Sequence, residues 1–163
     1  EAFGDRVIAL ANDKKARALV IDVRLNNGGN NFLGRAFLES ILRSNYNEQG
    51  RLFVITGRET FSACQNFCNW MDRQTAAMFA GEPTGSRPNF VGEGNEILLP
   101  YSGLSANASS RLWQDSVSED MRMWIAPEFE AEMTSDDYRN NRDPAFAAIL
   151  EYLNARTTTM GAR

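Results

Sequence analysis

The chain has no histidine, and its only lysines, Lys14 and Lys15, are neighbours. Without histidine, no Ser–His pair can form within these residues. A lysine base, likewise, is available at one point only, close to the start. Arginine is more abundant but keeps its proton in proteins and replaces neither. No apolar run is long enough to span a membrane, and no signal-peptide pattern is present. The net charge of −4, with no dense basic patch, argues against nucleic acid as a partner. Cysteine is scarce too. Cys64 and Cys68 lie four apart on an expected helix, where a bridge is geometrically awkward and two thiols alone build no metal site. They read as core residues beside Phe67 and Met71 and leave the compartment open. Neither a metal nor a cofactor is expected.

What is present suits one domain, since 163 residues can bury a sizeable core. Phe3, Val7, Leu10 and Ala11 share one helical face, predicting a helix over 2–13. Residues 17–25 have an unbroken apolar centre, predicting a strand buried on both faces as in a parallel sheet. Asn26-Asn-Gly-Gly-Asn-Asn31 ends it. Leu33, Phe37, Ile41 and Leu42 mark a second helix closing near Asn45. A second apolar strand at 52–55 precedes a helix from about Phe61 to Gln74. A short strand at 77–80 and an irregular Gly/Pro loop at 81–88 follow. This alternation predicts an α/β fold with a mainly parallel sheet.

Beyond residue 90 the pattern changes. Strands are expected at 96–100 and 104–113 around Tyr101-Ser102-Gly103, with short extended pieces at 122–126 and 129–132. Thr134-Ser-Asp-Asp137 reads as a capping box. Asp143 as N-cap and Pro144 at the first helical position open a last helix expected to bury Phe146, Ile149, Leu150 and Leu153. Residues 157–163 have no periodicity and read as a frayed tail, leaving 1–156 as the folded part. Because the chain opens at Glu1 already inside an amphipathic pattern, it is expected to be the later part of a longer protein.

Two features fall at the carboxyl ends of expected parallel strands, the edge where ligands bind in open α/β sheets. One is Gly28-Gly29, where no side chain blocks backbone N–H groups from an incoming oxygen. The other is Ser62, at the start of a helix among unpaired N–H groups. A serine there is either a nucleophile or an N-cap. With the Ala63 N–H, the two features hold the parts of an oxyanion hole, in which each donor is worth roughly 3–4 kcal/mol. Spacing alone leaves both readings open.

Three segments, Ile21-Asp-Val-Arg-Leu-Asn-Asn-Gly-Gly29, Thr60-Phe-Ser-Ala-Cys-Gln-Asn66 and Gly81-Glu-Pro-Thr-Gly85, resemble successive motifs of the tail-specific, or C-terminal processing, serine peptidases. That family also holds the tricorn-protease core and the retinoid-binding repeats of the eye. The stretch from Trp124-Ile-Ala-Pro-Glu128 through Asp143-Pro-Ala-Phe146 is similar to the end of its catalytic domain. The resemblance implies a crotonase-like α/β domain of ββα type with a β-rich C-terminal part ending in a helix. It implies Ser62 as nucleophile and an oxyanion hole from Ala63 and Gly28 or Gly29. Arg24 is expected to face a substrate groove, with Gly85 a second substrate contact and Asp22 a structural residue paired across the sheet. Trp70, Trp113 and Trp124 read as core or interface residues.

The departures from the family are equally specific. In the processing branch a lysine base follows the Gly-Glu-Pro-Thr loop, but here that loop continues Gly85-Ser86-Arg87. The tricorn-like branch takes a histidine from upstream and a glutamate from downstream of the nucleophile. Glu119 is the match for that glutamate, with Asp120 as fallback. The expected function is therefore part of a serine endopeptidase that acts on a peptide or protein through an acyl-enzyme on Ser62. Its base would come from preceding segments of the same protein, and the chain alone would be inactive. A homo-oligomer is left open, and a periplasmic or secreted location rests on analogy with relatives. Two alternatives stand beside this. A non-catalytic binding module on the same fold is favoured by the missing lysine and histidine. A crotonase-like acyl-CoA enzyme is disfavoured by the lack of an adenine-binding pattern.

Overall fold

The computed structural model describes residues 3–161. In chain order the elements are α1 (Phe3–Asp13), β1 (Leu19–Asp22), α2 (Asn31–Leu42), β2 (Leu52–Thr56), α3 (Ala63–Gln74), β3 (Met78–Gly81), β4 (Asn89–Leu98), β5 (Ser105–Gln114), β6 (Phe129–Glu130), α4 (Ser135–Arg139) and α5 (Pro144–Gly161). Four strands form a parallel sheet in the order β1-β2-β3-β6, and β4 and β5 form a separate antiparallel hairpin.

The sheet is organised around β2, which is buried at every position and flanked by parallel neighbours on both sides. Its side chains alternate between two cores, as the two-residue period of a strand requires. Leu52 and Val54 enter one core with Leu38 and Ile41 of α2 and Cys64, Phe67, Cys68 and Met71 of α3. Phe53 and Ile55 enter the other, with Ala80 of β3 and Ala145 and Ile149 of α5. Helices therefore cover both faces of the sheet. Each buried aliphatic or aromatic side chain stabilises this arrangement by about 1.5–3 kcal/mol.

Both cysteines are buried and free. The neighbouring Cys64 and burial together push the Cys68 thiol up, away from the reactive thiolate.

Several expectations are corrected. β1 is half-buried at Leu19, Val20 and Ile21 because it lies at the sheet edge, with β2 as its single neighbour. A run of apolar residues does not report how many strands flank it. β4 begins at Asn89, seven residues before the expected position, hidden by the Gly92-Glu93-Gly94 interruption. Residues 122–126, expected as an extended piece, join no sheet. Side chains hold that segment instead: Arg122 Nη2 pairs with Asp72 at 2.8 Å and Asp120 at 2.9 Å. Ile125 N–H donates to Thr84 Oγ1 at 2.9 Å.

The capping box is formed, with Thr134 and Asp137 exchanging bonds at the start of α4. Asp143 Oδ1 accepts the Phe146 N–H at 3.0 Å at the start of α5. The buried stripe of α5 runs through Ala145 and Ile149 to Tyr152 and Leu153, while Phe146 and Leu150 remain about two-fifths exposed at its borders. The helix continues to Gly161, into the stretch read as a frayed tail; Ala162 and Arg163 lie outside the described residues. No described helix is long and apolar enough to cross a membrane.

Candidate active site

The loops after β1 and β2 are laced together before Ser62 is reached. Thr60 is fully buried; its Oγ1 donates to the Val23 carbonyl at 3.0 Å and accepts the Gly57 N–H at 3.1 Å. Phe61 N–H donates to the Asn26 carbonyl at 3.2 Å, and Asn26 Oδ1 accepts the Gly28 N–H at 3.0 Å. Gly28 is thereby pressed against Ser62. A methyl group on it would lie 2.6 Å from Ser62 Cβ, 3.1 Å from Ser62 Oγ and 3.4 Å from the Ala63 nitrogen. Its φ of +128° is a second reason that glycine is required.

Ser62 has φ 56° and ψ −125°, and its side chain makes no capping bond. An N-cap serine has extended backbone and accepts an N–H from the first turn. Here the Phe61 carbonyl takes the Cys64 and Gln65 N–H groups instead, at 3.0 and 3.3 Å. Ser62 is not a cap. Holding an L-residue in this sparsely populated conformation costs about 1–3 kcal/mol, and such strain clusters at functional sites. A serine on a strained strand-to-helix turn is the backbone geometry of a nucleophile elbow.

Two donors remain open beside it. Ala63 is the first residue of α3, so its N–H has no intrahelical partner. Among the described residues, the Gly29 N–H has no acceptor either, whereas the Gly28 N–H is engaged by Asn26. The 12-residue α3 adds the positive end of its dipole at this point.

Gly29 and Ala63 line cavities on both sides. One, of about 590 Å³, is walled by apolar groups including Phe3, Ile21, Leu33, Phe37 and Phe67. The other, of about 240 Å³, contains Ser62 itself with Asn66, Phe90, Glu93 and Trp113. The hairpin base reaches this second cavity because Phe90 packs on Phe61, ring centroids 5.4 Å apart.

Other expected site residues lie elsewhere. Arg24 lines a cavity of about 490 Å³ on the α5 side of the sheet, which does not include Ser62. Its guanidinium is taken up by Asp143, at 3.1 and 2.8 Å, and by Asp22 within its own strand end, at 3.0 Å. Asp22 thus pairs along β1 and not across the sheet. Gly85 allows a close approach, since a methyl group there would lie 2.1 Å from the Arg58 carbonyl oxygen. Glu119 is exposed and lines neither cavity at Ser62; the Ser118 hydroxyl holds its carboxyl below the usual range. Asp120 is held charged mainly by Arg122, and it also accepts a bond from Ser116 at 2.7 Å. Lys14 and Lys15 follow α1, just before β1 begins, and so lie at the amino edge of the sheet, opposite Ser62. Trp70 is buried, Trp113 lines the Ser62 cavity and Trp124 is half-exposed.

Sequence reasoning missed Asn66, Glu93 and the polar face of α3. Gln65, Asn66 and Asn69 are all buried. Gln65 Nε2 donates to Asn69 Oδ1 at 3.0 Å, and Asn69 Nδ2 donates to the Pro88 carbonyl at 2.9 Å. These bonds fix the 81–88 loop against the serine's helix. Three amides at adjacent and i+4 spacing in an otherwise apolar helix were the available signal.

No family model and no curated protein matches the chain. Solved structures do. An assigned S41 protease from Bacteroides fragilis matches with TM-score 0.55 and 15% identity, covering 97% of this chain and 48% of that one. An assigned peptidase from Parabacteroides merdae matches with TM-score 0.61 and 19% identity, over 92% of this chain and 56% of that one. The chain shares the fold of S41 peptidases. The photosystem II D1 C-terminal processing protease has the same fold, at TM-score 0.53 and 16% identity, over 79% of this chain and 38% of that one. The chain spans about half the length, or less, of the structures it matches. At these identities the likeness concerns the peptidase fold alone.

Proposed function

We propose that the chain is part of the catalytic domain of a tail-specific serine endopeptidase, nearer the lysine-free tricorn-like branch and crotonase-like in fold. Ser62 Oγ gives its proton to the general base and attacks a peptide carbonyl; the C–N bond breaks, the amine leaves with that proton, and water then hydrolyses the Oγ ester to release the acyl group. The Gly29 and Ala63 N–H groups hold the oxyanion, with Gly28 shaping the approach. The observation that carries this reading is the backbone of Ser62, strained and free of any capping role beside two open N–H donors. The large apolar cavity suits a hydrophobic side chain of a peptide substrate.

The general base comes from a segment of the protein outside this chain. The absence of histidine and the distant placement of both lysines support that assignment. Glu119 orients the base. In support, its carboxylate is exposed, stays charged, and has no ion pair among the described residues. Asp120 is a poorer choice, being already paired with Arg122.

A serine-directed peptidyl phosphonate tests the proposal. It should label Ser62 in the longer protein and leave this chain unlabelled. Equal labelling of the chain alone would overturn the assignment of the base. No labelling in the longer protein would favour a non-catalytic binding module, the reading that the missing base supports.

A further inference from the structure

The small cavity at Ser62 has one ionisable residue in its lining, Glu93. Its backbone is unusual. With φ of 55°, Glu93 interrupts the hairpin register between the pairs Gly92–Arg111 and Gly94–Ser109. Glycine adopts that φ at little cost, yet the strain falls on the glutamate between two glycines. Gly92 has a different task. A methyl group there would meet Trp113 at 3.2 Å and Phe90 at 3.3 Å, so its absence lets the two aromatic side chains close together. Glu93 thus shares the lining of this cavity with Phe90, Trp113 and Ser62.

Among the described residues Glu93 makes no ion pair. Arg111 stays on the neighbouring strand, its guanidinium 5.3 Å from the Trp113 ring centroid. No basic side chain lines the cavity, so Glu93 has no cationic partner within it. Asn66 lines the same cavity, with its Nδ2 donating to Asn31 Oδ1 at 3.2 Å and its Oδ1 buried below the surface. A Lys or Arg side chain carries only donors and is attracted to aromatic faces. At about 240 Å³ the cavity is smaller than a pocket for a drug-sized ligand, about 300–1,000 Å³, and suits one side chain.

We infer that the cavity formed by Ser62, Phe90, Glu93 and Trp113 is a specificity subsite for a cationic substrate side chain, Lys or Arg, with Glu93 as its selecting residue. This rests on the reading of Ser62 as the nucleophile, and it complements the larger apolar cavity on the other side of Gly29 and Ala63. Arg111 at the rim, carrying the same sign as the ligand, moderates the affinity.

N-acetyl-arginine amide, N-acetyl-lysine amide and N-acetyl-leucine amide, titrated while the Trp113 indole N–H is followed by NMR, test the inference. The two cationic probes should bind about tenfold more tightly than the leucine probe at low salt, shift the Trp113 signal, and lose that advantage as salt rises. Glu93→Gln should abolish the preference without changing leucine binding, and Arg111→Ala should strengthen the cationic probes. Should Glu93→Gln fail to fold, the salt dependence of the unaltered chain and the Arg111→Ala response still decide. An equal preference in Glu93→Gln, or equal binding of the leucine and arginine probes, overturns the inference. Binding is independent of acylation, so intact probe selectivity with no phosphonate labelling would remove the nucleophile reading alone.

Discussion

Replacing Ser62 by glycine and by alanine separates strain from capping in a single stability measurement. The backbone at φ 56° and ψ −125° costs a non-glycine residue about 1–3 kcal/mol. Glycine removes that cost but loses roughly 0.5–1 kcal/mol through its freer unfolded chain. Ser62→Gly is therefore expected to stabilise the chain by about 1 kcal/mol. Ser62→Ala keeps the strain and breaks no hydrogen bond, since the hydroxyl has no capping partner, and should fall within about 0.5 kcal/mol of the parent. A capping serine behaves in the opposite way: alanine costs about 0.5–2 kcal/mol and glycine a few tenths. Urea denaturation followed by circular dichroism resolves the difference, and thermal midpoints should move by about 2–4 °C per kcal/mol. A loss of 1 kcal/mol or more in Ser62→Ala, with Ser62→Gly unchanged or destabilised, would refute the reasoning.

Gly28→Ala combines a positive-φ penalty with a clash against Ser62 Cβ and should cost about 2–5 kcal/mol in the same assay; a loss under 1 kcal/mol would mean that Gly28 is not confined as described. Acid should weaken the chain through Asp143: partial burial raises its pKa, but the Arg24 guanidinium and the N–H groups of Phe146 and Ala145 outweigh that and lower it overall. A depressed carboxyl stabilises the native state above the unfolded pKa of about 4, and that stability drains as pH falls through the lower native value. Asp143→Asn should accordingly be less stable at pH 7 and show a flatter loss below pH 4 in urea midpoints; a parallel pH profile would count against the Arg24 pairing. Cys64 and Cys68 should resist a thiol reagent in the folded chain and react together on unfolding, so rapid labelling of either under native conditions would contradict their burial.

Where periodicity and end signals were strong, the sequence alone determined the elements. Phe3, Val7 and Leu10 marked α1, the unbroken run at 52–55 marked β2, and Asp143-Pro144 marked the start of α5, because each depends on neighbours along the chain. The placing of Gly28-Gly29 and Ser62 at one sheet edge was also legible, since parallel strands joined by helices put their carboxyl ends together. The second half of the site was not. Glu93 and Trp113 line the cavity of Ser62 because the base of a polar, glycine-broken hairpin is held there by Phe90 against Phe61, a long-range contact that no local period encodes. The half-burial of β1 and the exposure of Phe146 and Leu150 likewise depend on which neighbours the sheet supplies. Whether Ser62 capped a helix or stood strained beside a glycine was settled by backbone angles that only contacts between two distant loops impose. Residue types named the parts of a site, and the tertiary bonds from Thr60, Phe61 and Asn26 brought those parts together.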